Sequence, residues 1–212
     1  MQLLKTLLDY FLHLDTHLAV LTDRFGIWIY ILIFAVIFME TGLVVTPFLP
    51  GDSLLFAAGS LASLGSLEII PLYLIILVAA ILGDSVNYWI GHYIGPKAFK
   101  INNRFLKKEH LEKTQAFYKK HGPKAIVLSR FVPIIRTFAP FVAGVGTMHY
   151  GQFMKYNVLG GFLWVTIFTF AGYFFGKLPF VKENFHYVVV LIILISIVPI
   201  FIQVWKEKRS KK

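Results

Sequence analysis

One stretch, residues 129–144 (SRFVPIIRTFAPFVAG), limits what this chain can fold into more than any other. It is apolar enough to enter a bilayer, yet it contains two arginines and two prolines, Arg130, Pro133, Arg136 and Pro140. Each charge at the bilayer centre costs about 2.5–3.5 kcal/mol on insertion scales, and proline interrupts a helix because it lacks a backbone N–H. Non-helical backbone survives at this depth only when it is buried in protein or lines a wet cavity. The stretch therefore predicts a broken, re-entrant hairpin with its arginines in a cavity; the alternative is a short basic loop with apolar flanks.

A second stretch, residues 40–59 (ETGLVVTPFLPGDSLLFAAG), repeats the pattern with the opposite charge. Its ionisable and hairpin-forming residues are Glu40, Pro47, Pro50, Gly51 and Asp52. Pro-Gly is a turn signal, which places the tip of an acidic hairpin at residues 50–51. Asp52 could also act only as a cap of the returning half-helix.

Composition places the chain among membrane proteins, because 57% of its 212 residues are hydrophobic. The net charge of +10 would fit a nucleic-acid partner, but the basic residues concentrate in a connector, 96–124, and a tail, 206–212. Both segments flank apolar runs, which is typical of cytoplasmic loops. We therefore expect no nucleic acid, and anionic lipid at the basic connector. The absence of cysteine excludes disulfide and thiol chemistry.

The predicted fold is an all-α polytopic membrane protein built from an inverted repeat. Residues 1–24 form an interfacial amphipathic helix, and residues 25–212 a single transmembrane domain. About four full spans are expected, Ile27–Met39, Ile69–Ile94, Tyr156–Phe175 and Tyr187–Trp205. A hairpin followed by a span occurs twice, in repeat one at about 27–95 and in repeat two at about 125–176, before the last span at 187–205.

Topology follows from placing both basic segments in the cytoplasm. The N- and C-termini are then cytoplasmic, and the two hairpins enter from opposite faces of the membrane. Opposed broken helices that meet near the midplane are the arrangement of secondary transporters. Each repeat also ends in a Gly-x-x-x-Gly face, which permits close helix approach. That face could pack within one chain or between two copies of a homo-oligomer.

The charges suggest a hypothesis in which Glu40 and Asp52 face Arg130 and Arg136 across the cavity. Two guanidinium groups on one hairpin form a phosphate clamp, because they stay charged and offer planar, bidentate donors. Asp84, inside a span, is a candidate proton-coupling site, although a packing hydrogen bond is an equal alternative. An ion-pair latch that only joins the repeats is the alternative for all of these charges.

Enzymatic chemistry is not expected. The sequence contains no HExxH, GxSxG or Walker motif. His92 and His149 lack metal-ligand spacing, so we expect neither a metal nor a cofactor.

The chain resembles the DedA family, whose domain is shared with eukaryotic SNARE-associated Golgi and VTT proteins. The resemblance is carried by ETGLVVTPFLPGDSLLFAAGSLASL, GDSVNYWIGHYIG, FYKKHG, SRFVPIIRTFAPFVAG, YNVLGGFLWV and FAGYFFGKLP, and it indicates a close bacterial relative. It implies an inner-membrane protein with two opposed re-entrant hairpins. It further implies that Glu40, Asp52, Arg130 and Arg136 match the family's essential charges. Members are implicated in returning undecaprenyl phosphate across the membrane, and others in proton-dependent transport and drug or pH tolerance.

The resulting prediction is a flippase of a phosphate-bearing polyprenyl lipid. Arg130 and Arg136 hold the phosphate, while Glu40, Asp52 and Asp84 gate the site or couple it to protons. A proton-coupled exporter of small cations or drugs is the first alternative. A non-transport scaffold or assembly factor is the second.

Overall fold

The computed structural model describes residues 26–43, 51–94, 108–146, 148–179 and 181, with the backbone alone at 108–110, 133 and 134. The regular structure in these ranges is helical, without a strand, which confirms the all-α prediction. Its elements are α1 Ile27–Gly42, α2 Gly51–Ser63, α3 Ile69–Ile94, α4 Lys108–His121, a 3-10 turn Gly122–Lys124, α5 Ala125–Ser129, α6 Pro133–Gly146 and α7 Tyr150–Gly176. The predicted interfacial helix, Pro47, Pro50, the last span and the basic tail lie outside the described residues.

Two helices are long and apolar enough to cross a membrane. α3 has 26 residues and α7 has 27; at 1.5 Å per residue each reaches about 40 Å, more than the roughly 30 Å of hydrocarbon. α1 has only 16 residues, or about 24 Å. Within the described residues, two of the four predicted spans thus have the required length, and α1 is shorter than the full span predicted for it.

The chain divides into two compact units. The terminal unit takes its residues from Met1–Leu32, Pro50–Tyr73 and Ile167–Lys212, and the central unit from Ile33–Leu49 and Leu74–Thr166. Four of the five predicted ionisable site residues, Glu40, Asp84, Arg130 and Arg136, belong to the central unit, and Asp52 belongs to the terminal unit.

In the central unit, α3 and α6 approach each other closely through paired glycines. A Cβ on Gly91 would overlap the carbonyl of Phe141, and a Cβ on Gly144 would overlap the carbonyl of Tyr88. Next to this contact, a core of large apolar side chains joins α4 to α6; its buried members are Leu111, Phe138, Phe141, Val142 and Val145. The site-bearing helix α6 is therefore fixed on two sides.

The terminal unit contains a helix pair, α2 with the end of α7, whose paired glycines make the same kind of close backbone contact. A Cβ on Gly59 would overlap the carbonyl of Thr169, and a Cβ on Gly172 would overlap the carbonyl of Phe56. The Ser60 hydroxyl adds a hydrogen bond to the Gly172 carbonyl at 2.9 Å. α2 and the end of α7 are thus held together as α6 and the end of α3 are in the central unit.

The basic stretch breaks at Arg130–Val132, between α5 and α6. Pro133 is the first residue of α6, where its missing N–H costs nothing. Pro140 lies inside α6, so its prediction as a hairpin-forming break is wrong. Proline is tolerated in a membrane helix that is buried against its neighbours. Here α6 packs against α4, and the Tyr118 hydroxyl donates to the Ala139 carbonyl at 2.9 Å. Burial raises the pKa of Tyr118 well above its usual value, which keeps this donor neutral.

The acidic stretch resumes as a helix two residues earlier than a cap at Asp52 would require. α2 begins at Gly51, which is itself helical and buried, and Asp52 lies in the first turn. The reading of Asp52 as the capping residue is therefore replaced by a position inside the helix, where a carboxylate interacts favourably with the helix dipole.

α1 and α3 run in the same direction, whereas the sequence predicted opposite directions. The Glu68 amide, just before α3, donates to the Tyr30 hydroxyl in the first turn of α1 at 2.9 Å. Further along, the Asn87 side chain of α3 donates to the Thr41 carbonyl in the last turn of α1 at 3.0 Å. The beginning of one helix lies beside the beginning of the other, so the prediction that α1 crosses in the sense opposite to α3 is wrong. Hydropathy and loop charge do not report helix direction when a span is too short.

Candidate functional site: two arginine–carboxylate pairs

The first ion pair joins Arg130 to Asp84. Arg130 follows α5 at the break in the basic stretch, where the chain leaves the helix and the side chain can turn into the protein. Its Nη2 lies 2.5 Å from Asp84 Oδ2 on α3, and the two residues are 2% and 4% exposed. Buried charges are stable only when paired and hydrogen-bonded, so this pair accounts for an aspartate inside an apolar helix.

Asn157 of α7 completes the first pair. Its Oδ1 accepts a hydrogen bond from Arg130 Nη2 at 2.7 Å, and its Nδ2 donates to the Ile81 carbonyl at 3.0 Å. The same Nδ2 contacts Ser85 Oγ at 3.4 Å. Asn157 is fully buried, and its bonds to α3 fix which end of the amide faces the arginine.

The second ion pair joins Arg136 to Glu40. Arg136 Nη2 on α6 lies 3.2 Å from Glu40 Oε1 in the last turn of α1, and both residues are buried. Asn87 of α3 sits between the two backbones, because its Nδ2 donates to the carbonyls of Thr41 at 3.0 Å and Thr137 at 2.9 Å. Each of these threonines directly follows a member of the pair, so Asn87 fixes the separation of the two charged residues.

Trp164 of α7 lies against both arginines. The Cζ atom of Arg136 is 4.0 Å from the centre of its ring, and the Cζ atom of Arg130 is 5.8 Å from it. Both distances fall in the range of cation–π interactions, and burial strengthens such contacts. Trp164 is fully buried, so the indole joins the two ion pairs into one cluster.

Arg130 retains hydrogen-bonding capacity inside this cluster. Its Nε and Nη1 are buried, and neither has a hydrogen-bond partner among the described residues. The arginine stem packs against the α7 backbone at Gly160, where a Cβ would come within 3.2 Å of Arg130 Cδ and Nε. Buried N–H groups of a charged side chain are costly to leave without an acceptor. The oxygen atoms of an oxyanion or of water can accept hydrogen bonds from them.

The structure thus brings together Glu40, Asp84, Arg130 and Arg136, but in a pairing that the sequence did not predict. Arg130 pairs with Asp84, while Asp52 belongs to the terminal unit and its pairing with an arginine stays a prediction. Neither Asn157 nor Trp164 was singled out from the sequence. Among the described residues no group of three His, Cys, Asp or Glu side chains is placed to hold a metal ion.

A signal for the contribution of α7 was present in the sequence. Asn157, Gly160, Gly161 and Trp164 follow the i, i+3, i+4, i+7 spacing of one helix face. A polar amide, two residues without a side chain and a large aromatic ring on one face of an apolar span indicate a face that receives a bulky polar group. The two arginines are that group.

The described residues contain helices as their only regular structure, with two of membrane-spanning length and buried charge pairs, and this defines the class as a polytopic helical membrane protein. The model of the VTT domain matches residues 49–174, and the chain belongs to this family, the DedA/VTT family of membrane proteins. It is 52% identical to Protein DedA of Escherichia coli (strain K12), over 99% of this chain and 97% of that protein.

Two further relatives are named as membrane proteins. An uncharacterized membrane protein of Mycobacterium leprae (strain TN) is 43% identical over 83% of this chain and 79% of its own length. Inner membrane protein YghB of Escherichia coli (strain K12) is 34% identical over 80% of this chain and 78% of its own length. No solved structure matches the chain.

Proposed function

We propose that the protein is a flippase that moves a phosphate-bearing polyprenyl lipid, of the undecaprenyl phosphate kind, across the bacterial inner membrane. The observation that carries the proposal is the pair of buried arginines, each held by its own carboxylate. Guanidinium groups bind phosphate oxygens through charge-assisted, bidentate hydrogen bonds. Ionisable residues at membrane depth are functional sites by default, because they are expensive to keep there.

The carboxylates act as internal substitutes for the substrate anion. Asp84 and Glu40 occupy the arginines when no lipid phosphate is bound, so the resting cluster is electrically balanced. An arriving phosphate displaces them, and each displaced carboxylate is then a buried negative charge without its cation. Taking up a proton removes that cost, which couples lipid binding to proton exchange. Asp52 is proposed to gate or couple protons in the terminal unit.

The membrane arrangement that we propose is a pair of opposed hairpins in an inverted repeat. The matching glycine contacts of α2 with α7 and of α6 with α3 support it, since each unit by itself shows the same spacing. With the basic connector and the C-terminal tail in the cytoplasm, α3 runs inward. α1 runs parallel to α3, so in this arrangement α1 begins at the outer face.

The basic connector is proposed to rest against anionic lipid on the cytoplasmic face. Lys113, Lys119, Lys120 and Lys124 are exposed, while Leu111 and Tyr118 turn inward against α6. Clustered lysines next to a membrane domain are attracted to anionic headgroups by roughly 1 kcal/mol each.

The proposal is tested in liposomes that contain purified protein and labelled undecaprenyl phosphate, with and without a pH gradient. We expect Arg130→Ala and Arg136→Ala to abolish lipid movement while the folded protein still inserts. Lys120→Ala, on the exposed face of α4, serves as the matched loss of one positive charge and should leave movement nearly unchanged. Normal lipid movement in both arginine variants would refute the phosphate clamp. Proton flux driven by cations or drugs without lipid movement would instead favour the exporter, and no flux of either kind the scaffold.

A further inference from the structure

We propose that Trp164 is the positioning residue that holds Arg130 and Arg136 as a spaced pair, so that both address one phosphate group. The inference rests on the proposed function and deepens it. The same indole lies near both guanidinium groups, while each arginine forms an ion pair with a different carboxylate on a different helix. No direct bond between the arginines is required for them to act together.

The distances limit how far apart the cations can be. Since 4.0 Å and 5.8 Å join the two Cζ atoms to one ring centre, the atoms are at most about 10 Å apart. This spacing lies within reach of a single phosphate, whose oxygens accept charge-assisted hydrogen bonds of about 2.8 Å on either side. Two bare cations at this range repel each other. A π face beside both offsets that repulsion and keeps its position when the carboxylates are displaced.

The surroundings of Trp164 show that its position is built into α7. Asn157 lies two turns earlier on the same face and bonds Arg130 directly, and Gly160 leaves the intervening space open for the arginine stem. Trp164 itself is fully buried, so the ring cannot serve as an interfacial anchor.

The kinetics of lipid movement in liposomes distinguish a positioning role of Trp164 from a role in packing alone. For Trp164→Leu we expect the half-saturating concentration of undecaprenyl phosphate to rise about tenfold, the loss of a buried cation–π contact, with the maximal rate per folded protein unchanged. Trp164→Phe keeps a π face and should recover most of the affinity. Trp89→Leu is the matched control, since Trp89 makes edge-to-face contacts with Tyr88 and His92 within the same unit and should leave both parameters unchanged. A Trp164→Leu variant that lowers only the maximal rate would overturn the inference.

Fluorescence provides a second readout that does not depend on turnover or on the leucine variant folding. The chain has four tryptophans, and replacing Trp28, Trp89 and Trp205 by Phe leaves Trp164 as the only indole. Undecaprenyl phosphate should change its emission saturably, undecaprenol should not, and Arg136→Ala should abolish the response. Trp164 emission that does not change when undecaprenyl phosphate is added would overturn the inference. If Arg130→Ala and Arg136→Ala lose lipid transport but Trp164 emission does not respond to undecaprenyl phosphate, only the role of Trp164 fails. If these two alanine variants transport the lipid normally, the proposed function itself fails.

Discussion

At the scale of single residues, the two ion pairs are positioned by neutral polar side chains on neighbouring helices. Asn157 shows this most clearly, because it bonds Arg130 with its oxygen and α3 with its nitrogen. The two ion pairs depend on such neutral residues as much as on each other.

Replacing Asn157 by Leu should therefore destabilise the protein. The change leaves one N–H of Arg130 Nη2 without its acceptor, and a buried unmet group costs about 1–3 kcal/mol. The Ile81 carbonyl keeps its hydrogen bond from Ser85 Oγ at 2.7 Å. Thermal unfolding in detergent measures the effect as a clear fall in the midpoint. Gln152→Leu on the exposed start of the same helix removes an amide of similar size and should change stability by less than about 0.5 kcal/mol. Equal midpoints for the two variants would contradict the role given to Asn157.

At the scale of secondary structure elements, the site depends on how closely α3 and α6 approach. Gly144 and Gly146 lie in the same last turns of α6 and provide an internal comparison. A Cβ on Gly144 would overlap the α3 backbone, whereas a Cβ on Gly146 meets nothing within 4 Å. We expect Gly144→Ala to cost about 1–3 kcal/mol through overpacking, and Gly146→Ala to be neutral or slightly stabilising. Chemical denaturation of the two variants measures this, and a neutral Gly144→Ala would show that the helices are not held by this contact.

The sequence was sufficient to find the charged members of the site but not their partners. Charges and prolines in apolar runs identified Glu40, Asp84, Arg130 and Arg136, because such residues are costly in a bilayer. Which carboxylate meets which arginine depends on the direction and relative height of helices far apart in the chain. Tyr30 and Thr41 set that direction through hydrogen bonds that leave no pattern in hydropathy. Pro140 was misjudged for a similar reason, since a neighbouring helix supports the backbone around it.

At the scale of the whole molecule, the parallel course of α1 and α3 changes the expected topology. The chain contains no cysteine, so single substitutions can be labelled cleanly with a membrane-impermeant thiol reagent. We expect Ile27→Cys and Glu68→Cys to react from the outer face, and Lys124→Cys and His149→Cys from the cytoplasmic face. Labelling of the first two from opposite faces would contradict the parallel course. Labelling of the last two from opposite faces would contradict a re-entrant basic hairpin.

The proposed function requires that the buried arginines bind substrate and do not serve only as structural ion pairs between helices. Exchanging the charges of one pair, in the double variant Glu40→Arg with Arg136→Glu, separates the two roles. The exchange keeps an ion pair between α1 and α6 but moves the cation from α6 to α1. We predict that the double variant regains the thermal stability that Arg136→Glu alone loses, yet moves no labelled undecaprenyl phosphate in liposomes. Lipid movement at the wild-type rate in the exchanged protein would mean that the pair is a latch, and would contradict the proposal.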